Sequence, residues 1–501
     1  MKNVFRILIF LFGIIFIYFF TSNLLPSVVL KGFYVLFSLS CAFIFFVITL
    51  ENRSPSKTIA WLVILGIFPI FGFFFYLIFG QNYRKKYTFS QKALMDELAL
   101  IKFREIEQRT QDQQLLNNGY SKVLNIGKRI GQFPVSSNTM TEVLTNGTET
   151  FNSILSAIES ATKHIHLEYY IVRNDEIGKS LKTLLIKKVK EGVEVRFLYD
   201  DVGSWELSKQ YINDLKDNGV KIMPFSPVKV PFLNSKINYR NHRKIVIVDG
   251  VIGFVGGLNI GDEYLGRNKN FGFWRDTHLR LEGEAVNSLQ FVFWQDWFFT
   301  THERIGCDKL YFTEFRPVAI GSVQVVSGGP DSEVEVIKNL FFSMITSAKK
   351  SIMIATPYFI PDEDLHAALK IAALSGVDVK ILFPKNPDKK IVYYASRTYF
   401  PSLLEAGVKI YEYEMGFLHS KIIIIDDMVA SIGTANMDMR SFHLNFEVNV
   451  FLYGTDSIKK LINDFQTDVS SSKEIKIEKF SKRHLGIKLI ESICRLLSPV
   501  L

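Results

Sequence analysis

Two stretches of this 501-residue chain carry one polar pattern at one spacing: His-x-Lys, an Asp five residues after the Lys, then Gly and Asn seven and ten residues after the Asp. The first is NHRKIVIVDGVIGFVGGLN, with His242, Lys244, Asp249, Gly256 and Asn259; the second is LHSKIIIIDDMVASIGTAN, with His419, Lys421, Asp426, Gly433 and Asn436. Repetition extends upstream, where Ala161 matches Ala348, Asp175 matches Asp362, Gly192 matches Gly376 and Gly219 matches Gly407, at offsets of 187, 187, 184 and 188. A chain written this way must use one local structure twice. Helical patterns alternate with β-branched runs in each copy, which predicts two pseudo-symmetric α/β units, each with a largely parallel sheet, and a site where they meet.

The chemistry follows from the spacing. His and Lys two residues apart on a strand share a face, and the run IVIV or IIII behind each Lys is a buried strand that holds that face still. Asp249 and Asp426 complete the two triplets where each strand turns, at DG and DD. Two copies face to face bring two imidazoles and two ammonium groups around one pocket. Such a pocket suits a phosphate: the cations neutralise its oxygens, one imidazole attacks phosphorus and the other handles the proton. A single His-x-Lys before an apolar strand is ordinarily a solvated strand end; the identical second copy overturns that reading.

Composition matters at the N-terminus. Residues 1–80 hold 17 of the 44 phenylalanines and one acidic residue, Glu51. Ile59–Phe79 and Phe33–Leu50 are uncharged and joined by a short linker containing Pro55, so 33–80 is expected to be a transmembrane hairpin. Ile7–Leu25, within 1–32, is a possible further span, since it lacks a cleavage site. Arg84, Lys85, Lys86 and Lys92 outweigh Arg53 and Lys57, which puts the catalytic units on the cytoplasmic side of the cell membrane. A third span would place Lys2 and Arg6 outside, so whether two or three segments cross stays open. Residues 81–130 form a polar helical connector, 131–320 the first unit and 321–480 the second. A basic amphipathic C-terminal helix closes the chain at 481–501, with Leu485, Leu489, Ile493 and Leu496 on one face; it reads as an interfacial helix among lipid headgroups. The net charge of +9 fits an anionic membrane surface and falls short of a nucleic-acid-binding signature. Three scattered cysteines without a CxxC pair exclude a zinc ribbon and a disulfide framework.

Whole phrases carry a resemblance. The paired motifs are those of the phospholipase D superfamily. ENRSPSKTIAW, HIHLEYYI, GVEVRFLYDD, FWRDTH, TPYFIPDE, GFLHSKIIIID, GTANMDMRSFHLNFE and the terminal RLLSP together resemble its bacterial cardiolipin synthase branch, from about residue 33 to 501. The resemblance implies two phospholipase D-type α/β units behind an N-terminal transmembrane helical region. It implies transfer of a phosphatidyl group from one phosphatidylglycerol to another, through a phosphohistidine, giving cardiolipin and glycerol. His242 is then the nucleophile and His419 the general acid/base, Lys244 and Lys421 bind phosphoryl oxygens, and Asn259 and Asn436 add neutral donors. Asp249 and Asp426, counted with the His and Lys as catalytic, orient side chains at the motif's far end, and Asp276 and Glu447 are the carboxylates that orient the histidines. Neither a metal nor another cofactor is implied, because lysines supply the positive charge. Glu168 is a further pocket candidate, while His164 and His166 read as packing residues. The alternatives are hydrolysis or another acceptor at the same site, a nucleic-acid phosphodiesterase, and a non-catalytic scaffold. The oligomeric state is not legible.

Overall fold

The run behind each motif lysine decides the topology. Ile245–Val248 and Ile252–Gly256 form one hairpin, Ile422–Ile425 and Val429–Gly433 the other, and every residue of both leading strands is buried. Each turn uses left-handed backbone at both central residues, Asp249 (φ 54°) and Gly250 (φ 69°), then Asp426 (φ 50°) and Asp427 (φ 57°). That geometry matches the twist of a tight antiparallel pair, and Asp and Gly tolerate it best. Gly250 is also sterically required, because a Cβ there would lie 2.4 Å from the Tyr311 carbonyl oxygen.

In the computed structural model, residues 27–50, 55–67, 72–73, 76, 92, 121–131, 133–228, 235–269, 271–303, 311–312, 314–332 and 334–498 are described. The chain divides into two compact parts, Met1–Arg84 and Lys85–Leu501. In the first, Ser27–Leu50 and Pro55–Ile67 are helices that pack through Ile44, Ile48, Leu65 and Tyr76. Among the described residues no helix is long and apolar enough to cross a membrane. The expected span Ile7–Leu25, most of 68–80 and nearly all of 81–120 in the connector expected over 81–130 lie outside the described residues, while the connector's end, Ser121–Ile130, is a helix.

Among the described residues, the larger part holds two large sheets with one topology, beside two two-stranded ones. From edge to edge the first runs Thr139–Thr145, Thr277–Gly283, Ile252–Gly256, Ile245–Val248, His164–Tyr169, Glu194–Asp200, Lys221–Phe225. The second repeats this order as Ser322–Gly328, Glu447–Tyr453, Val429–Gly433, Ile422–Ile425, Ser351–Ala355, Asp378–Pro384, Lys409–Tyr413, with a short strand added at each edge. The largely parallel arrangement expected from the sequence is corrected here. Only the last three strands of each series run parallel, joined by helical crossovers; the motif hairpins impose antiparallel pairing on the rest. One edge addition, Val135–Ser136, pairs with Ser322–Gly328, so the start of the expected first unit in fact extends the second unit's sheet.

Helices cover the outer face of each sheet, and the inner faces, together with the helices Ala285–Thr301 and Ser457–Ser470, share a core. Leu279, Val286 and Phe293 of the first unit pack in one cluster with Val325, Val450, Leu461 and Phe465 of the second. Fully burying side chains of this size contributes roughly 1.5–3 kcal/mol each, so separating the units would expose a continuous apolar surface.

Asp249 and Asp426 sit at the end of the hairpins away from the motif histidines. Asp249 accepts the backbone N–H groups of Thr162, Lys163 and His164 at 2.7–2.9 Å, and Asp426 those of Lys349, Lys350 and Ser351 at 2.7–3.0 Å. Each carboxylate therefore clamps the start of the neighbouring strand and does not join the pocket. Partial burial pushes the Asp249 carboxyl up, yet the three N–H groups outweigh it and hold it below its ordinary 3.8. A depressed carboxyl contributes stability that is complete above its unfolded value and lost as pH falls through the folded one. Asp249→Ala is expected to cost roughly 1–3 kcal/mol in urea denaturation at neutral pH, with less loss at pH 3 and an unmoved pH profile of activity.

Candidate active site

The segment leading into each histidine crosses to the other unit. Gly416–Leu418 runs parallel to Phe273–Arg275, and Asn241 bridges Phe446 in the same sense. His242 N–H donates to the Phe446 carbonyl at 2.9 Å, and His419 N–H to the Arg275 carbonyl at 2.7 Å. The residue following each acceptor is a carboxylate, which places it against the incoming imidazole. His242 Nδ1 meets Glu447 Oε2 at 2.9 Å, and His419 Nδ1 meets Asp276 Oδ2 at 2.7 Å. Each histidine is thus oriented by the opposite unit, and neither unit alone contains a complete pair. With Nδ1–H directed to a carboxylate, Nε2 is left as the reactive nitrogen.

Lys244 and Lys421 lie on the same faces as the histidines and are buried. Their ammonium groups donate to the carbonyls of His242 at 2.6 Å and of His419 at 2.5 Å. Burial lowers Lys244 well below 10.5 and Lys421 to about 8. Burial also lowers His419 to about 4, with Lys421 adding to the effect, and takes His242 well below 6.5 with help from Lys244 and Lys421. Both imidazoles are therefore neutral near pH 7 in a pocket already carrying positive charge, which is the state that receives an anion.

The two halves differ in their carboxylates. Burial drives Glu447 up to about 7 against the opposing pull of Lys244. Burial also acts upward on Asp276, but Lys421 and His419 outweigh it and keep it below 3.8. Glu447 is further held by the Thr434 hydroxyl at 2.6 Å and the Asn445 amide at 3.1 Å. The position matching Thr434 is Gly257, where a Cβ would come within 2.2 Å of Asp276 Oδ1. The shorter Asp brings the backbone closer, so glycine is needed on one side only. Gly257→Ala is expected to displace Asp276 and reduce turnover about a hundredfold, whereas Thr434→Val, losing one hydroxyl, costs far less; steady-state kinetics on both variants checks this.

A family model described as "Cardiolipin synthase, PLD-like domain" matches residues 154–297 and 341–469, which carry the two motif hairpins, and one described as "Phospholipase_D-nuclease N-terminal" matches 38–81. A cardiolipin synthase of Geobacillus sp. strain WCH70 is 58% identical with 100% of both chains covered. The chain belongs to the cardiolipin synthase family. Cardiolipin synthase 2 of Bacillus anthracis is 59% identical over 93% of this chain and 91% of its own. The solved phosphatidylserine synthase of Haemophilus influenzae Rd KW20 shares the fold at a TM-score of 0.58 and 15% identity, covering 76% of this chain and all of that one. The activity of this family member is phosphatidyl transfer.

Other expected residues of this cardiolipin synthase family site fall differently. Asn259 does not offer its amide to the pocket: Oδ1 accepts from Ile171 N–H at 3.1 Å, and Nδ2 donates to the Tyr264 hydroxyl at 3.1 Å. It braces the loop whose Tyr170 ring stands edge-on to His242 at 5.0 Å. Asn436 Oδ1 is buried without a hydrogen-bond partner, and its backbone N–H donates to the Ser441 hydroxyl at 3.1 Å. Glu168 lies behind the motif strand, where Asn241 donates to it and Asp296, paired with Arg243, lies beside it. Asn241 and Arg243 alternate with His242 and Lys244 and so face the other way. Tyr170, Trp274, Phe417 and Asn445 were not marked as site residues by the sequence pattern, yet the first three wall the histidines. The signal available for them was adjacency to marked positions.

Proposed function

We propose that the enzyme condenses two phosphatidylglycerols at this pocket in two displacements. As the anionic headgroup binds, His419, neutral in the empty pocket, takes a proton from solvent at Nε2; His242 Nε2 attacks phosphorus of the first lipid, the P–O bond to glycerol breaks, and His419 passes that proton to the leaving oxygen. A second phosphatidylglycerol then gives its hydroxyl proton to His419, and its oxygen attacks the phosphohistidine, yielding cardiolipin and restoring His242. The observation that carries this reading is the crossed pairing: two neutral imidazoles, each held by a carboxylate of the opposite unit, with two buried lysines between them. Ionised Asp276 stabilises an imidazolium at His419 better than Glu447 does at His242, which supports His419 as the proton carrier. The lysines supply charge that grows more valuable as the phosphoryl group becomes pentacoordinate. The apolar stretches within 33–80 form the membrane anchor in this reading, with the catalytic part on the cytoplasmic side.

Purified enzyme given phosphatidylglycerol alone is expected to release glycerol and form cardiolipin in equal amounts. Phosphatidic acid in place of cardiolipin would assign the second step to water and overturn the transfer between lipids. The pH dependence is a further check. Lys421 must be protonated to hold the phosphate, so kcat/KM is expected to lose a further tenfold per pH unit once pH rises past about 8. In Lys421→Arg the remaining activity is expected to lose this limb, since guanidinium stays charged.

A further inference from the structure

The C-terminal helix Leu485–Arg495 is reversed in polarity. Leu485, Leu489, Ile493 and Leu496 form one stripe along it and are 78%, 62%, 54% and 79% exposed. Its buried strip carries the polar chemistry. Glu491, 2% exposed, accepts Arg397 Nε at 2.9 Å and Arg483 Nη2 at 2.8 Å, and Cys494 is buried beside it. Arg397 also donates to Glu412 at 2.9 Å, and the Arg495 guanidinium stands 5.1 Å from the Tyr399 ring. A charge network thus fastens the helix to Lys390–Arg397 while its leucines face outward. Glu491 is the only carboxylate of the helix and is turned inward, whereas Lys482 and Arg495 are exposed and Lys488 half-buried. The outer face is apolar and carries only positive charge.

The neighbouring helix locates this face relative to the pocket. Lys390–Arg397 spans about 12 Å and begins at exposed Lys389, whose charge bears on His242; the preceding Asp388 bears on His419 and Lys421. The fastened helix therefore lies one short helix from the mouth of the site.

We propose that the outer face of Leu485–Arg495 docks on an anionic phospholipid surface and holds the pocket mouth at the headgroups. A soluble exterior has no use for such a stripe, while a lipid surface accepts both the leucines and the lysines that flank them. The inference deepens the proposed function, since it rests on a substrate that stays in the bilayer.

The test uses the full-length enzyme with long-chain phosphatidylglycerol in vesicles and, separately, dissolved dihexanoyl phosphatidylglycerol. Leu489→Glu with Ile493→Glu is expected to lower vesicle turnover about tenfold and leave turnover of the dissolved lipid unchanged. Lys482→Gln with Lys488→Gln is expected to weaken vesicle turnover and its salt sensitivity, and serves if the first pair fails to fold. A Leu489→Trp reporter is expected to be quenched by brominated lipid beyond the background of the native tryptophans. Unchanged vesicle turnover in both pairs, an unquenched reporter, or a leucine variant that changes only the molecular mass because the stripe joins two copies would each overturn the docking face. Wild-type enzyme that makes no cardiolipin from either substrate while the reporter is quenched would instead sink the proposed function and leave the docking face standing.

Discussion

His242→Ala is expected to lower cardiolipin formation by about ten-thousandfold or more, because it removes the atom that forms the covalent bond. His419→Ala should be nearly as severe with phosphatidylglycerol, whose glycerol leaves poorly without a proton. The two separate on a phosphatidyl ester of p-nitrophenol. This leaving group departs unprotonated, so His419→Ala is expected to recover a burst of nitrophenol and then stall, while His242→Ala stays inactive. Stopped-flow absorbance reads the difference directly. A burst from His242→Ala and none from His419→Ala would exchange the two roles.

The carboxylates give the second large effect. Asp276→Asn keeps the geometry but removes the charge that steadies an imidazolium at His419, and it allows the wrong tautomer; a loss of about 10³–10⁴-fold is expected. Glu447→Gln should cost less at pH 7, since burial already holds Glu447 near half-protonation there. Raising the pH toward 8 ionises more of the native Glu447, so the gap between wild type and Glu447→Gln is expected to widen as that charge appears. Equal penalties for the two variants across this range would mean that the halves are electrostatically alike.

The reach of the sequence can be judged from particular residues. The repeat and the spacing from His242 to Asn259 and from His419 to Asn436 made the pair of α/β units legible, because period-two alternation and matched glycines survive translation into strands and turns. Strand direction was not legible. The DG and DD turns are hairpin signals, yet the helical crossovers upstream drew the whole sheet toward parallel pairing. The crossing of partners was equally hidden: Asp276 and Glu447 could be named, but which histidine each holds depends on Gly416–Leu418 running beside Phe273–Arg275. Asn259 illustrates another limit, since an amide beside a glycine bend reads alike whether it faces a phosphate or ties down Ile171. Residues such as Tyr170 and Trp274 do their work through ring packing, which leaves no periodic trace.

The measurement closest to the central claim is capture of the covalent intermediate. Wild-type enzyme would be quenched under alkaline denaturing conditions during turnover of phosphatidylglycerol, digested, and its histidine-containing peptides weighed. The expected result is a phosphatidyl group on the peptide carrying His242, discharged as cardiolipin when the unquenched enzyme meets fresh phosphatidylglycerol. A label on the His419 peptide, or none on either during active turnover, would contradict the two-displacement account.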